Sequence, residues 1–284
     1  MTEQTRPLIP VKGGTGPLFQ GARPLVFADR PLVVSWSPKT ACTHVLMWFL
    51  HHQNLLPAAL YYGDWPHTFR GQVYYRSLSY RRAASALRDS RGRGYTLLRV
   101  TRAPHRRLVS SFRHVMRHNL LQDVLDPALG RDTSVSGASL TEVGCVLEQH
   151  DLCTPSGLDM HICAQFHPLW DMPFDRVITL NLDDMPLGAG LRAVEDELGL
   201  TPSPVDDLPG LQAMRHRHYT GDAPHAGPAP VEDTWLTGQG ETFPKSALER
   251  AAQTRVIAER LYAVDLGRVA SGDTAGRLFS GLQR

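Results

Sequence analysis

The stretch SPKTACTH, residues 37–44, separates two apolar runs, Pro31-Leu32-Val33-Val34-Ser35-Trp36 before it and Val45-Leu46-Met47-Trp48-Phe49-Leu50 after it. The first run, with Leu25-Val26-Phe27 split from it by Ala28-Asp29-Arg30-Pro31, predicts a strand ending near Trp36. From Thr43 to about Leu56 there is no Gly or Pro, and Pro57 follows, which predicts a largely buried helix. The unit is strand, loop, helix. In an open α/β sheet such a loop lies beyond the strand's carboxyl end, where a helix N-terminus turns its unbonded N–H groups toward a ligand. The loop also holds one of the chain's three lysines, against 27 arginines. An ammonium concentrates its charge at one point, whereas a guanidinium offers a flat fork. Lys39, the loop amides and the hydroxyls of Thr40 and Thr43 are therefore the parts of a cradle for a compact oxyanion.

The pattern recurs along the chain. Tyr95 to Val100 reads as a second strand, closed by Thr101-Arg102-Ala103-Pro104 with Pro104 at a first helical position. Leu108, Val109, Phe112, Val115 and Met116 then recur at helical spacing as one apolar stripe. Ser110 falls on the opposite face with Arg106, Arg113 and Arg117. Ser139 and Glu142 form a capping-box signature for a helix to about His150, and Arg176 to Leu182 is a third strand. Gly190 to Leu198 predicts a helix stopped by Gly199, and Pro244 to Val264 a long one with Leu248, Ala252, Val256 and Leu261 on its buried side. Strands alternating with helices predict an α/β fold of three layers, a mostly parallel sheet with helices on both faces. Prolines interrupt every periodic pattern between Thr201 and Phe243, so residues 201–243 read as a long Pro/Gly-rich loop inside a domain spanning 25–270. An N-terminal extension, 1–24, and a C-terminal tail, 271–284, flank it.

Composition narrows the function. The 284 residues carry 30 basic and 28 acidic side chains, a net charge of +2, which argues against a nucleic-acid partner held by bulk electrostatics. Apolar runs reach about six residues, against the roughly 20 that span a bilayer. The N-terminus has neither a basic region nor an apolar core of a secretory signal, so a cytoplasmic location is expected. Cys42, Cys145, Cys153 and Cys163 fit no CxxC spacing and are expected as free thiols, and the His and Cys spacings suggest no metal cage. A Walker loop needs glycines ahead of its lysine, and Trp36-Ser37-Pro38 has none. Lys12-Gly13-Gly14-Thr15-Gly16 has the glycines but neither the preceding strand nor the following helix.

Pro38-Lys39-Thr40-Ala41-Cys42-Thr43 resembles the 5′-phosphosulfate loop of sulfotransferases that use 3′-phosphoadenosine 5′-phosphosulfate (PAPS), in particular the carbohydrate sulfotransferase (sulfotransferase type 2) family, whose loop reads P-K-V-A-C-T. Val100-Thr101-Arg102-Ala103-Pro104-His105-Arg106-Arg107-Leu108-Val109-Ser110-Ser111-Phe112-Arg113 is similar to that family's 3′-phosphate motif, V-R-D-P-x-x-R-L-V-S-x-Y-R, with Ala103 in place of the acidic residue. Fainter likenesses follow. His161 to Gln165 resembles H-x-x-P-Q without its proline, Phe174 to Asn181 resembles a Y-D strand with Asn181 near the acidic position, and Tyr262 to Asp265 resembles a terminal Y-x-x-D.

The resemblance implies a P-loop-like sulfotransferase fold and sulfuryl transfer from PAPS to a hydroxyl or amine of a small-molecule, lipid or carbohydrate acceptor, releasing adenosine 3′,5′-bisphosphate (PAP) without a metal. Lys39, Thr40, Ala41, Cys42, Thr43 and His44 would hold the 5′ side, and Arg102 and Ser110 the 3′-phosphate. Arg215 and Arg217, in Arg215-His216-Arg217-His218 of the long loop, would close over the phosphates, and His105 would lie near the 3′ side. Lys39 would also be catalytic. An acceptor hydroxyl needs a general base; His161 matches a family position, while Asp64 and His67 lie in an aromatic stretch after the first helix, where Tyr61, Tyr62 and Trp65 would grip the acceptor. Two other readings stand beside this one: a nucleotide-dependent phosphotransferase with a degenerate P-loop, using Asp183-Asp184 for magnesium, and a non-catalytic module binding PAP or another anion.

Overall fold

The computed structural model describes residues 21–63, 65–154, 158–208, 222, 224–225, 227–239 and 243–269. Its centre is a four-stranded sheet in the order β1-β2-β3-β4, formed by Leu25–Val26 (β1), Leu32–Ser35 (β2), Thr96–Thr101 (β3) and Arg176–Asn181 (β4). β2, β3 and β4 are parallel, in a register that pairs Ser35 with Arg99 and Thr101 with Asn181. Their carboxyl ends therefore open at one edge. β1 runs antiparallel to β2 through a tight connection, so the two apolar runs at 25–27 and 32–35 make a hairpin at the sheet's rim. Every residue of β2, and all but the first of β3, is buried, so both faces of the sheet centre are covered, as a near-continuous apolar strand requires.

The helix after β2 is Cys42–His52 (α1), shorter than the expected 43–56. Pro57 does not end it but opens a second helix, Leu56–Tyr62 (α2), where its missing N–H costs nothing. Tyr61 and Tyr62 are thus the last turn of a helix and not loop residues. Pro66–Gln72 (α3) and Leu78–Ser90 (α4) follow, packing Leu56, Ala59, Phe69, Tyr80 and Leu87 into the core around the sheet.

Pro104–Arg117 (α5) leaves the end of β3 with its apolar stripe wholly buried. That stripe seeds a second apolar core, made with Gln122–Leu129 (α6), Leu140–Leu147 (α8, after the short α7, Thr133–Ser136) and the later helices. The capping box forms in full: Ser139 Oγ accepts from the Glu142 amide at 3.1 Å, and Glu142 accepts from the Ser139 amide at 2.9 Å. Leu187–Leu198 (α9) begins three residues before the expected start and ends at Gly199, whose φ of 61° suits glycine. The single helix expected over 244–264 is three: Lys245–Arg250 (α10), Ala252–Leu261 (α11) and Ala263–Val269 (α12). The chain turns extended at Ala251, and a second break at Tyr262 sends α12 back toward the sheet edge. Among the described residues no helix is long and apolar enough to cross a membrane.

Candidate functional site

The Lys39 loop is built on two left-handed residues, Lys39 at φ 66° and Ala41 at φ 52°. Outside glycine such a conformation costs of order 1–3 kcal/mol, and it persists only where the surroundings enforce it. Thr40, fully buried between them, supplies the enforcement. Its hydroxyl donates to the Ser37 carbonyl at 2.7 Å and accepts from the Ser37 amide at 3.2 Å. That hydroxyl, expected to face an anion, is spent inside the loop. Ala41 caps α1 with no side-chain acceptor, leaving the helix's opening amides turned into the loop, an anion-attracting nest. Cys42 packs against the sheet core and His44 buries its ring, so these two offer the loop their backbone and not their side chains.

Arg102 is set at the end of β3 by a pair of bonds to buried Gln165: the Arg102 amide donates to Oε1 at 2.9 Å and Nε2 donates to the Arg102 carbonyl at 2.8 Å. Its guanidinium then reaches the Lys39 carbonyl at 3.4 Å and Glu249 of α10 at 3.4 Å. Gln165 is fixed from behind, because the amides of Gln165 and Phe166 donate to buried Asp265 at 3.0 and 2.8 Å. Tyr262 Oη donates to the Ile162 carbonyl at 2.9 Å. Two of the fainter sequence likenesses, 161–165 and 262–265, are thus bonded to each other and, through Gln165, to the Arg102 stretch. Arg107, fully buried, ties the assembly together by donating to the carbonyls of Pro38, at 3.2 Å, and Cys163. Ser110 lies two turns into α5, half-buried on the face away from the apolar stripe.

A cluster of histidines adjoins this cationic half. His161 Nδ1 lies 2.6 Å from Asp159 Oδ1, which also accepts from the His161 amide at 2.9 Å. Burial works against the Asp159 charge, but these His161 bonds outweigh it and hold the carboxyl below its ordinary range. An Asp-bound Nδ1–H leaves Nε2 as the free acceptor. The His114 ring packs at a tilt against His161 with centroids 4.1 Å apart, and His118, one turn on, lies 4.6 Å from His114. His67 Nε2 meets Thr43 Oγ1 at 2.9 Å, and its ring packs on Trp65 at 4.8 Å. Burial, with Arg70 and His161 adding to it, lowers His67 to about 3. Burial, then Lys39, His161 and His118, lower His114 to about 3 as well, so both rings are neutral near pH 7.

Lys39 feels the whole assembly. Burial lowers its ammonium to about 8, Cys42 opposes that, and Arg102, Arg113 and Arg107 add to the fall. Arg113 is stacked over Phe243 at 5.3 Å, and among the described residues Arg107 Nη1 and Arg113 Nη2 are buried with no hydrogen-bond acceptor. Cations gathered at a strained loop, with orphaned donors among them, fit a multiply charged anion.

The expected site residues divide accordingly. Lys39, Arg102, Thr43, His67 and His161 come together at one sheet edge. Tyr61, Tyr62 and Trp65 are all exposed, though Tyr62 also donates to Gln72 Oε1 at 2.7 Å and packs on Phe69 at 5.8 Å, which ties it to the α2–α3 packing. His105 sits in the first turn of α5, partly buried and lowered by that burial and by Arg255 and Arg106. Asp64, Arg215, His216, Arg217, His218 and the 12–16 glycines lie outside the described residues. Asp183 accepts from the Ala103 amide at the start of α5 and from Arg106 at 2.9 Å. These bonds engage both of its carboxylate oxygens at the entry to α5. Among the described residues no group of three or more His, Cys, Asp or Glu is placed to hold a metal ion, and all four cysteines are free thiols.

Sequence reasoning missed Arg107, His114 and His118. The last two had a signal: His114 is four residues from Ser110 and His118 four further, one helical face already marked as polar. Comparison of the chain with protein-family models, with curated proteins and with solved structures gave no match.

Proposed function

We propose that the chain is a sulfotransferase that takes PAPS as donor and passes its sulfuryl group to an acceptor hydroxyl. The observation that carries the reading is the bond between the two halves of the site: Arg102, at the end of β3, reaches the carbonyl of Lys39, at the crest of the strained loop after β2. A donor bearing phosphate groups at its 3′ and 5′ ends matches two cationic stations on neighbouring parallel strands. The orphaned nitrogens of Arg107 and Arg113 and the uncapped start of α1 favour the same kind of ligand.

In this reading Lys39 and the opening amides of α1 hold the 5′-phosphosulfate, and Arg102 with Ser110 holds the 3′-phosphate. His161 Nε2 takes the acceptor's proton while Asp159 keeps Nδ1 protonated. The acceptor oxygen bonds to sulfur as the sulfur–oxygen bond to the 5′-phosphate breaks, and the electron pair of the broken bond stays on the phosphate oxygen. Lys39 stabilises that growing charge. His67, whose Nε2 is engaged by Thr43, is a wall of the site. The phosphotransferase reading is disfavoured by the engagement of both Asp183 oxygens, one by the Ala103 amide and one by Arg106.

The test is binding of PAP followed by transfer. PAP should raise the melting temperature by mass action, and radiolabelled sulfate should pass from PAPS into an acceptor. Arg102→Ala should weaken PAP while sparing adenosine 5′-phosphosulfate, which lacks the 3′-phosphate. No thermal shift at millimolar PAP would overturn the proposal.

A further inference from the structure

Residues 76–94 carry six arginines, Arg76, Arg81, Arg82, Arg88, Arg91 and Arg93, against one acid, Asp89, a local charge of +5. All seven side chains are exposed. Since the whole chain carries only +2, the remainder is net negative. Arg76 ends the 3-10 turn Tyr74–Arg76, Arg81, Arg82 and Arg88 stand on α4, and Arg91 and Arg93 lie between α4 and β3. α4 buries Tyr80, Ala84 and Leu87, which at about 100° per residue puts Leu78 and Arg82 on its outer side and Arg81 with Arg88 on one flank. The turn into β3 lies at the amino ends of the parallel strands, the sheet edge away from the Lys39 loop.

Elsewhere arginines are neutralised within the chain: Arg102 by Glu249, Arg106 by Asp183, Arg131 by Glu142 and Arg260 by Glu148. Among the described residues Arg76, Arg81, Arg82, Arg91 and Arg93 pair with no carboxylate. Asp89 accepts from Ser85 Oγ at 3.3 Å, and Asp175, which borders the turn, accepts from the Gly94 amide at 3.0 Å. The counter-charge of this face comes from outside the chain.

The surface separates the polyanions that could supply it. Single-stranded nucleic acid is gripped by exposed aromatic rings among the cations, whereas Tyr74 and Tyr80 are buried and packed on each other at 4.9 Å. A duplex follows a longer basic track, which the net-negative remainder does not extend. An acidic protein needs carboxylates set to match arginines spread over a helix and two turns, while lipid headgroups move laterally to meet each one. The large apolar side chains exposed among the arginines are aliphatic, Leu78 (54% exposed) and Val73 (36%). Such side chains dip below the headgroups of a bilayer while cations stay at the phosphates.

We propose that the outer face of α4 and its two flanking turns docks the protein on an anionic phospholipid surface, with the arginines at the headgroup phosphates and Leu78 inserted among them. This docking is independent of the donor assigned above.

The experiment sediments the full chain with vesicles of phosphatidylcholine alone and of phosphatidylcholine mixed with phosphatidylglycerol. The chain should sediment with the mixed vesicles only, and raised salt should release it. Arg81→Ala combined with Arg82→Ala should weaken binding by roughly 20-fold, the product of two arginines near an anionic surface, and Arg76→Ala with Arg93→Ala should do the same. All four side chains are exposed, so one pair reports even if the other fails to fold, which circular dichroism checks. Leu78→Ser should weaken vesicle binding by about threefold and leave binding to polyglutamate, a polyanion with no apolar layer, unchanged. Equal binding to the two vesicle types, or an unchanged affinity in the folded arginine variants, would overturn the proposal. So would tighter binding to polyglutamate or to a DNA duplex than to the mixed vesicles, which would assign the face to an acidic protein or a nucleic acid instead.

Discussion

Gln165 holds Arg102 from both sides of its peptide unit, accepting from the amide at 2.9 Å and donating to the carbonyl at 2.8 Å. The two residues are 63 positions apart, and the pair fixes the direction in which the β3 end presents its guanidinium.

Replacing Gln165 by Ala should therefore act on stability and binding together. Two hydrogen bonds are lost where Gln165 is buried, and the unfolding free energy should fall by about 2–3 kcal/mol. PAP affinity should drop along with it, by about tenfold. Denaturant unfolding and PAP titration read the two effects; a loss of stability with PAP affinity intact would remove the clamp from the binding site.

Ala41→Gly should stabilise the chain. Ala41 sits at φ 52°, and glycine relieves of order 1 kcal/mol there, a rise of roughly 2 °C in melting temperature at this size. A fall in melting temperature would mean that the loop is not strained at this position.

Lys39→Ala should cut turnover by about 10²–10³-fold, the usual cost of one preorganised donor, with a much smaller loss of PAP affinity. In the wild type, burial lowers the free-enzyme ammonium to about 8. Its charge is present below that pH and lost above it, so kcat/KM should decline on the alkaline side with a midpoint near 8. Lys39→Arg, which keeps its charge, should lack that limb.

His67 and His114 are lowered to about 3 in the folded chain, against an ordinary 6.5. Above pH 6.5 neither state binds the proton, and stability is unaffected. As pH falls from 6.5 toward 3 the unfolded chain takes protons that the folded one refuses, so stability is lost through that window. His114→Phe should flatten the acid side of a stability–pH curve, measured by chemical denaturation.

The three parallel strands and the two loop motifs were legible in the sequence because each strand is a compact apolar run ending at a polar or proline-marked stop. Ser110 and the α5 stripe followed from helical periodicity alone. The breaks at Ala251 and Tyr262 were not legible, since no Gly or Pro marks them and the apolar spacing runs on through both. They arise from tertiary demand, as α12 must turn back to bring Asp265 under Gln165. Thr40 was misjudged for a related reason. A hydroxyl in a loop can face a ligand or its own backbone, and only the left-handed turns at 39 and 41 decide for the backbone. His114 and His161 come from separate parts of the chain, and their contact is a long-range fact that no local spacing contains.

Asp265 lies 100 positions beyond Gln165, which it holds in place. During synthesis, the segments that carry Lys39 and Arg102 emerge from the ribosome well before the helix that holds Gln165 against Arg102. A chain stalled ahead of α12 would hold Arg102 without the carboxylate that fixes Gln165 behind it, so the last helix completes a geometry that the earlier segments only begin.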